Sequence, residues 1–166
     1  MVEEEDVLEA AAAALLDLCR RRQWRLGTAE SCTGGLLAGA LTAIAGSSDI
    51  VEGGFVTYSN AAKTALLGVP AGLIASVGAV SAEVARAMAE GVLRQLPATD
   101  LAVSVTGIAG PGGASPGKPV GLVHFGLARR GTTAESHAEI FPGDRRQIRR
   151  ATVLRALALL TATAAG

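Results

Sequence analysis

The sequence predicts an α/β fold, a mixed sheet with helices on both faces, organised as one domain over residues 1–166. Three observations predict it. Segments with apolar residues at helical spacing alternate along the chain with short apolar runs of strand length. One of those runs, Leu101-Ala102-Val103-Ser104-Val105, is almost continuously apolar, as a central strand covered on both faces should be. The chain is also long enough, at 166 residues, for one real core, and its 49% hydrophobic and 18% charged composition excludes disorder.

The elements follow in order. Residues 6–22 read as a helix, with Leu8, Ala11, Leu15 and Leu18 at helical spacing, acids at its start and Arg20-Arg21-Arg22 at its end, matching the macrodipole. An apolar-leaning run at 24–27 feeds a turn at 28–35, and a helix begins at Leu36 and ends near Gly46. Residues 50–59 form a strand whose Gly53-Gly54 pair marks a bulge or a close backbone approach. Ser59 or Asn60 caps a short helix over 61–67, stopped by Gly68 and Pro70. Ser81 caps a helix over 82–96, with Val84, Met88 and Val92 as its buried edge. The central strand then enters 106–119, too rich in Gly and Pro for regular structure, and a loop of that length at a strand end is usually functional. Residues 120–128 and 133–141 are neighbouring strands joined through Arg129-Arg130-Gly131, and the polar alternation of the second puts it near an edge. Asp144 with Gln147 resembles a capping box and opens a last helix to about Thr163.

Composition limits the function classes. Fifteen basic and fifteen acidic residues cancel, and aromatics are 3%, so the chain has no global field for nucleic acid or an anionic membrane. Cys19 and Cys32 offer no disulfide framework, and a reducing compartment is the simpler reading. The acidic start (Glu3, Glu4, Glu5, Asp6) is the reverse of a signal peptide and no apolar run reaches membrane-spanning length, so a cytoplasmic protein is expected.

Chemistry concentrates at 28–35, 57–63 and 106–118, all candidates for the carboxyl edge of the sheet where open α/β folds bind ligands. If the three converge, Ser31, Tyr58, Lys63, Thr106 and Lys118 share one pocket. Glu30, Ser31 and Cys32 supply a carboxylate, a hydroxyl and a thiol in succession ahead of a helix N-terminus, a place that suits an anion or a carbonyl-derived oxyanion. Ser and Thr are also preferred helix caps, so the octapeptide alone supports either role. Cys32 is a nucleophile at a helix N-terminus or a small packed hydrophobe. His124 and His137 read as strand side chains, and neither a Walker spacing nor a Gly-x-Gly-x-x-Gly after a strand is present. Arg145, Arg146, Arg149, Arg150 and Arg155 cluster where the last helix begins, with Arg145 and Arg149 on one face. Solvent, a subunit or an anionic ligand can compensate them, and Arg145 is the one aimed at a ligand.

Four segments, in order and over nearly the whole chain, resemble the CinA C-terminal family: Ala29-Glu30-Ser31-Cys32-Thr33-Gly34-Gly35; Gly53-Gly54-Phe55-Val56-Thr57-Tyr58-Ser59-Asn60 with Lys63 and Leu67-Gly68-Val69; Val105-Thr106-Gly107-Ile108-Ala109-Gly110-Pro111-Gly112-Gly113 with Lys118-Pro119-Val120-Gly121; and Phe141-Pro142-Gly143-Asp144-Arg145. Stand-alone members of that family are nicotinamide-nucleotide amidohydrolases. The resemblance implies a three-layer α/β/α fold with a mixed, mostly parallel sheet, and hydrolysis of the carboxamide of nicotinamide mononucleotide (NMN) to nicotinate mononucleotide and ammonia. It implies Ser31 as nucleophile, Lys63 as the base that takes its proton, Tyr58 hydrogen-bonding in the same cluster, and neither cofactor nor metal.

Around that core, backbone N–H groups at Cys32, Thr33 and Gly34 are expected to hold the oxyanion. The loop residues Thr106, Gly107 and Gly110, with Arg145, are expected to anchor the ribose phosphate, and Lys118 either closes that loop or faces solvent. The N-terminal domain of longer family members has no counterpart in these residues, so its metal-dependent pyrophosphatase activity is expected to be absent. The apolar faces of the first and last helices could form a homodimer contact.

Overall fold

Apolar runs and capped helices assemble in the order the sequence suggests, in a computed structural model that describes residues 2–166, with side chains from Val7 onward. The elements are α1 (Val2–Arg22), β1 (Leu26–Glu30), α2 (Leu36–Thr42), a 3₁₀ turn (Ser47–Asp49), β2 (Val51–Val56), α3 (Asn60–Leu67), α4 (Ala71–Val77), α5 (Ala82–Gln95), β3 (Leu101–Gly107), β4 (Leu122–Arg129), β5 (Glu135–Ile140) and α6 (Arg145–Ala165). They build one five-stranded sheet in the order β2-β1-β3-β4-β5. The pairings of β1 with β2 and with β3 are parallel, and those of β4 with β3 and with β5 are antiparallel. Only β4 therefore runs against the rest.

Side-chain alternation sorts the two faces. Leu26, Leu101, Val103, Val105, Val123, Phe125 and Leu127 pack with residues of α1, α2 and α6. Ala29 and Ala102 pack on the other face with Leu67, Ile74, Val84, Met88 and Val92 from α3, α4 and α5. That second face is lined with small residues because α5 lies hard against it: a Cβ on Gly126 would come within 2.1 Å of the Ala85 carbonyl oxygen. Ser104 Oγ donates to the same carbonyl at 2.5 Å. The result is three layers, helix, sheet and helix.

Local signals in the sequence hold. Ser59 and Ser81 accept hydrogen bonds from the Ala62 and Val84 N–H groups and cap α3 and α5. Asp144 and Gln147 form a reciprocal capping box. β5 lies at the sheet edge. The Gly53-Gly54 pair does both jobs expected of it: the β1–β2 register shifts beside Gly53, and a Cβ on Gly54 would lie 2.6 Å from Thr28 Oγ1.

Other boundaries move. β1 runs on through Thr28, Ala29 and Glu30, where the polar side chains suggested a turn; Thr28 and Glu30 alternate with Ala29 and are buried. β3 likewise continues through Thr106 and Gly107, which belong to the strand and not to the loop. α2 ends at Thr42, short of Gly46. Pro70 was read as a stop, and it also precedes a helix the sequence did not reveal: its carbonyl accepts from the Leu73 and Ile74 N–H groups as α4 begins. The apolar faces of α1 and α6, the expected dimer contact, are buried in one cluster with each other, including Leu15, Leu16, Ala156 and Leu160. Among the described residues no helix is long and apolar enough to cross a membrane.

Candidate active site

The site begins with the way three strands end. From β1 the chain passes through α2 to β2 on one side, then through α3, α4 and α5 to β3 on the other. Such a switch point opens a crevice beyond the carboxyl ends of the strands. Ser31 is the first residue past β1. Its N–H donates to the Val105 carbonyl of β3 at 3.0 Å, and Thr57 N–H, just past β2, donates to the Glu30 carbonyl at 2.8 Å. Ser31 thus sits where the three strand ends are laced together.

Lys63 reaches it from α3. Its side chain is among the largest fully buried ones, at 1% exposure, and Nζ lies 2.9 Å from Ser31 Oγ. Nζ also donates to the Thr57 carbonyl at 2.8 Å. Burial drives the lysine pKa below its ordinary value, because an ammonium loses its hydration there and has no carboxylate to replace it. A charge on Cys32 would oppose that shift. The Cys32 thiol, however, is pushed up to about 11, chiefly by burial, with the Glu30 carboxylate adding to it. At neutral pH the thiol form is favoured and the side chain packs in the core, which fits the small packed hydrophobe of the two readings.

The turn that carries Ser31 is held from two sides. Gly34 and Gly35 adopt φ of 58° and 103°, conformations that a side chain resists. Glu30, fully buried, accepts from the N–H groups of Gly35, Leu37 and Ala38 at 3.1, 3.0 and 2.8 Å. Its carboxylate therefore caps α2 and occupies the helix N-terminus that the sequence offered to an anion. Arg149 completes the brace from α6: Nε donates to the Cys32 carbonyl at 3.1 Å and Nη2 to the Thr33 carbonyl at 2.9 Å. Gly34 N–H donates to the Ser31 carbonyl at 3.1 Å and is not available to a ligand. The N–H groups of Cys32 and Thr33 find no carbonyl or carboxylate acceptor among the described residues.

Other expected site residues are placed differently. Tyr58 is 60% exposed, and its hydroxyl accepts from Arg145 Nη2 at 3.1 Å, without a hydrogen bond to Ser31 or Lys63. Arg145 Nη1 donates to the Gly110 carbonyl at 2.8 Å, so this arginine joins Tyr58 to the Gly-rich loop. It also lines a cavity of about 620 Å³ with Ala109, Pro111, Val120 and Arg146. Thr106 is buried and donates its hydroxyl to the Ala79 carbonyl at 2.9 Å, between β3 and the segment joining α4 to α5, leaving that proton unavailable for a phosphate. Lys118 donates to the Val77 carbonyl at 2.7 Å, fastening the loop to the end of α4. Sequence reasoning missed the roles of Glu30 and Arg149. The signal for Arg149 was its spacing from Arg145, which puts both on the face of α6 turned to this site. Among the described residues no cluster of three or more His, Cys, Asp and Glu side chains could hold a metal ion.

The chain as a whole is similar to known proteins. A family model for the CinA C-terminal domain matches residues 8–164. The chain belongs to that family. A CinA-like protein of Chlorobium phaeovibrioides is 55% identical over 138 residues, covering 80% of this chain and 32% of its own length. A putative competence-damage inducible protein of Moorella thermoacetica is 51% identical over 157 residues, 95% of this chain and 37% of that one. The CinA-family chain described here thus spans about a third of the length of these relatives. Among solved structures, the competence/damage inducible protein CihA of Agrobacterium tumefaciens superposes with a TM-score of 0.90 at 47% identity, over 94% of each chain. The competence damage-inducible protein A of Klebsiella pneumoniae gives 0.91 at 39% identity, over 95% of this chain and 97% of that one.

Proposed function

We propose that this CinA-family domain hydrolyses the carboxamide of nicotinamide mononucleotide, releasing ammonia and nicotinate mononucleotide, with Ser31 as nucleophile and Lys63 as general base. One observation carries the reading: the Lys63 amine is buried against the Ser31 hydroxyl at 2.9 Å. A serine hydroxyl attacks an amide only when a neighbouring base takes its proton, and a lysine is a base only when its charge has been made costly. The Thr57 carbonyl accepts one Nζ hydrogen. In the neutral amine this leaves the lone pair for the Ser31 hydroxyl, which then donates to Nζ.

The chemistry follows from there. Lys63 takes the Ser31 proton as Oγ bonds to the amide carbon, whose reactivity the cationic pyridinium ring raises. The same ring charge, brought near Nζ, favours the neutral amine. The Cys32 and Thr33 N–H groups receive the developing oxyanion, a contribution of roughly 3 kcal/mol per donor. The Lys63 ammonium returns its proton to the departing nitrogen, and ammonia leaves. Water, deprotonated by the same amine, then cleaves the acyl ester and frees Ser31. The ribose phosphate lies toward the Gly-rich loop, where Arg145 is the anchor and the cavity beside it gives room.

Ammonia release from NMN tests this directly. The wild type should release it, Ser31→Ala should not, and Lys63→Ala should lose turnover far more than affinity. A silent wild type removes the reaction and leaves a nucleotide-binding module or an amidase for another carboxamide. Full activity in Ser31→Ala removes the nucleophile, and loss of affinity alone in Lys63→Ala makes that residue a phosphate anchor.

A further inference from the structure

We infer that Arg149 is a positioning residue that aims the Thr33 N–H at the reacting carbonyl. The inference rests on the serine-amidase reading given above. It comes from the planarity of the peptide bond, which fixes each C=O antiparallel to the N–H of the next residue. Two N–H groups in the Ser31 turn lack a carbonyl or carboxylate acceptor among the described residues, those of Cys32 and Thr33. The carbonyl sharing a plane with Cys32 N–H is that of Ser31, and it is pinned from within the turn by Gly34 N–H at 3.1 Å. The carbonyl sharing a plane with Thr33 N–H is that of Cys32, and no backbone donor pins it. Arg149 Nε does, at 3.1 Å.

The second Arg149 contact strengthens this. Nη2 donates to the Thr33 carbonyl at 2.9 Å, so the guanidinium fork grips two successive peptide planes and resists rotation of either. A lysine offers a point charge and no such fork. The turn needs an external clamp because the glycines that follow, at φ of 58° and 103°, restrain their backbone least. Glu30 holds the far side at Gly35, Leu37 and Ala38 and does not reach the planes in question. Arg149 thus serves the oxyanion by holding a backbone donor still, whereas Arg145 faces the loop and Tyr58.

The test compares Arg149→Met and Arg149→Lys with the wild type, both in NMN turnover and in the rate at which a fluorophosphonate labels Ser31. Labelling needs no knowledge of the substrate: Ser31 Oγ bonds to phosphorus, fluoride leaves and the hydroxyl proton passes to Lys63. The expected result is a kcat about 100-fold lower in Arg149→Met with KM changed less than about threefold, and labelling slowed at least about tenfold. Arg149→Lys should recover only part of either loss, and added guanidinium should partly restore Arg149→Ala. If Arg149→Met does not fold, Arg149→Lys is judged by the same criteria. Unchanged labelling together with unchanged kcat overturns the inference, and so does a raised KM at constant kcat, which would make Arg149 a substrate anchor. A wild type silent on NMN whose Ser31 labelling still slows on Arg149→Met refutes the NMN reading and supports the role of Arg149. Equal NMN turnover and labelling in wild type and Arg149→Met do the reverse.

Discussion

Two strand ends of this sheet meet the same crevice and are built in opposite ways. Past β1, the residues from Glu30 to Thr33 are buried, and the Glu30 carboxylate and the carbonyls of Ser31, Cys32 and Thr33 all have partners in the chain. Past β3, residues 111–117 are exposed, and the long loop is held at a few points: Lys118 to the Val77 carbonyl, the Gly110 carbonyl to Arg145, and a bridge between Ser115 and Lys118. The first end has the rigidity that chemistry needs, where a misplacement of about 1 Å can cost about 100-fold in rate. The second has the openness to surround a ligand. On the proposed reading, the Gly-rich stretch is therefore a poor guide to where bonds are broken, and the more crowded end carries the nucleophile.

That contrast can be broken most forcefully at Ser31. Ser31→Ala should lower NMN turnover by about 10,000-fold or more while leaving thermal stability nearly unchanged, because it removes one oxygen from a formed site. Ammonia release and a melting curve on the same sample check both halves. Next in size is Glu30→Ala, which strands three N–H groups at the start of α2 and should cost about 4 kcal/mol of stability, read by denaturant unfolding. Glu30→Gln, which keeps an acceptor oxygen, should cost less.

Smaller, and diagnostic of the buried amine, is a pH effect. Since the base must be neutral, kcat/KM should rise with pH through an ionisation below the ordinary lysine value of 10.5 and be lost as pH falls beneath it. Stability should follow the same direction. Between the lowered pKa and 10.5 the unfolded chain binds a proton that the folded one does not, so stability rises with pH. Cys19 and Cys32, raised from 9.0 to about 11, work oppositely above about pH 9, because there the folded chain keeps protons the unfolded one releases. The two effects have opposite signs, and Lys63→Met should remove the rise and leave the thiol effect. Smallest of all is the loop. Ser115→Ala, exposed past β3, should change stability by less than about 0.5 kcal/mol, and a larger change would mean that the open strand end is as tightly built as the closed one.

What could be read in the sequence was mostly local. Ser81, Asp144 with Gln147, and the alternation that puts β5 at an edge each depend on neighbours a few residues away, and each was legible. Ser31 and Lys63 were legible as members of one candidate pocket, but their roles as nucleophile and base came only through resemblance, since they lie thirty-two positions apart and nothing between shows that they touch. Glu30 misled because a buried carboxylate and a turn carboxylate look alike until the start of α2 folds over it. Pro70 misled in the other direction, since the residue that ends one helix can begin the next. Tyr58 was grouped with Ser31 and Lys63, whereas its hydroxyl meets Arg145. Arg149 was on the correct face by spacing, but its targets, two carbonyls far away in sequence, have no local signature.

Position 149 also has a consequence for the order in which the protein is made. Residues 31, 57 and 63 leave the ribosome before residue 149, so the arginine that steadies the turn arrives after them. A growing chain therefore owns a hydroxyl and an amine well before it owns a rigid cradle between them. On the proposed reading, turnover should therefore begin only once residue 149 has docked against that turn.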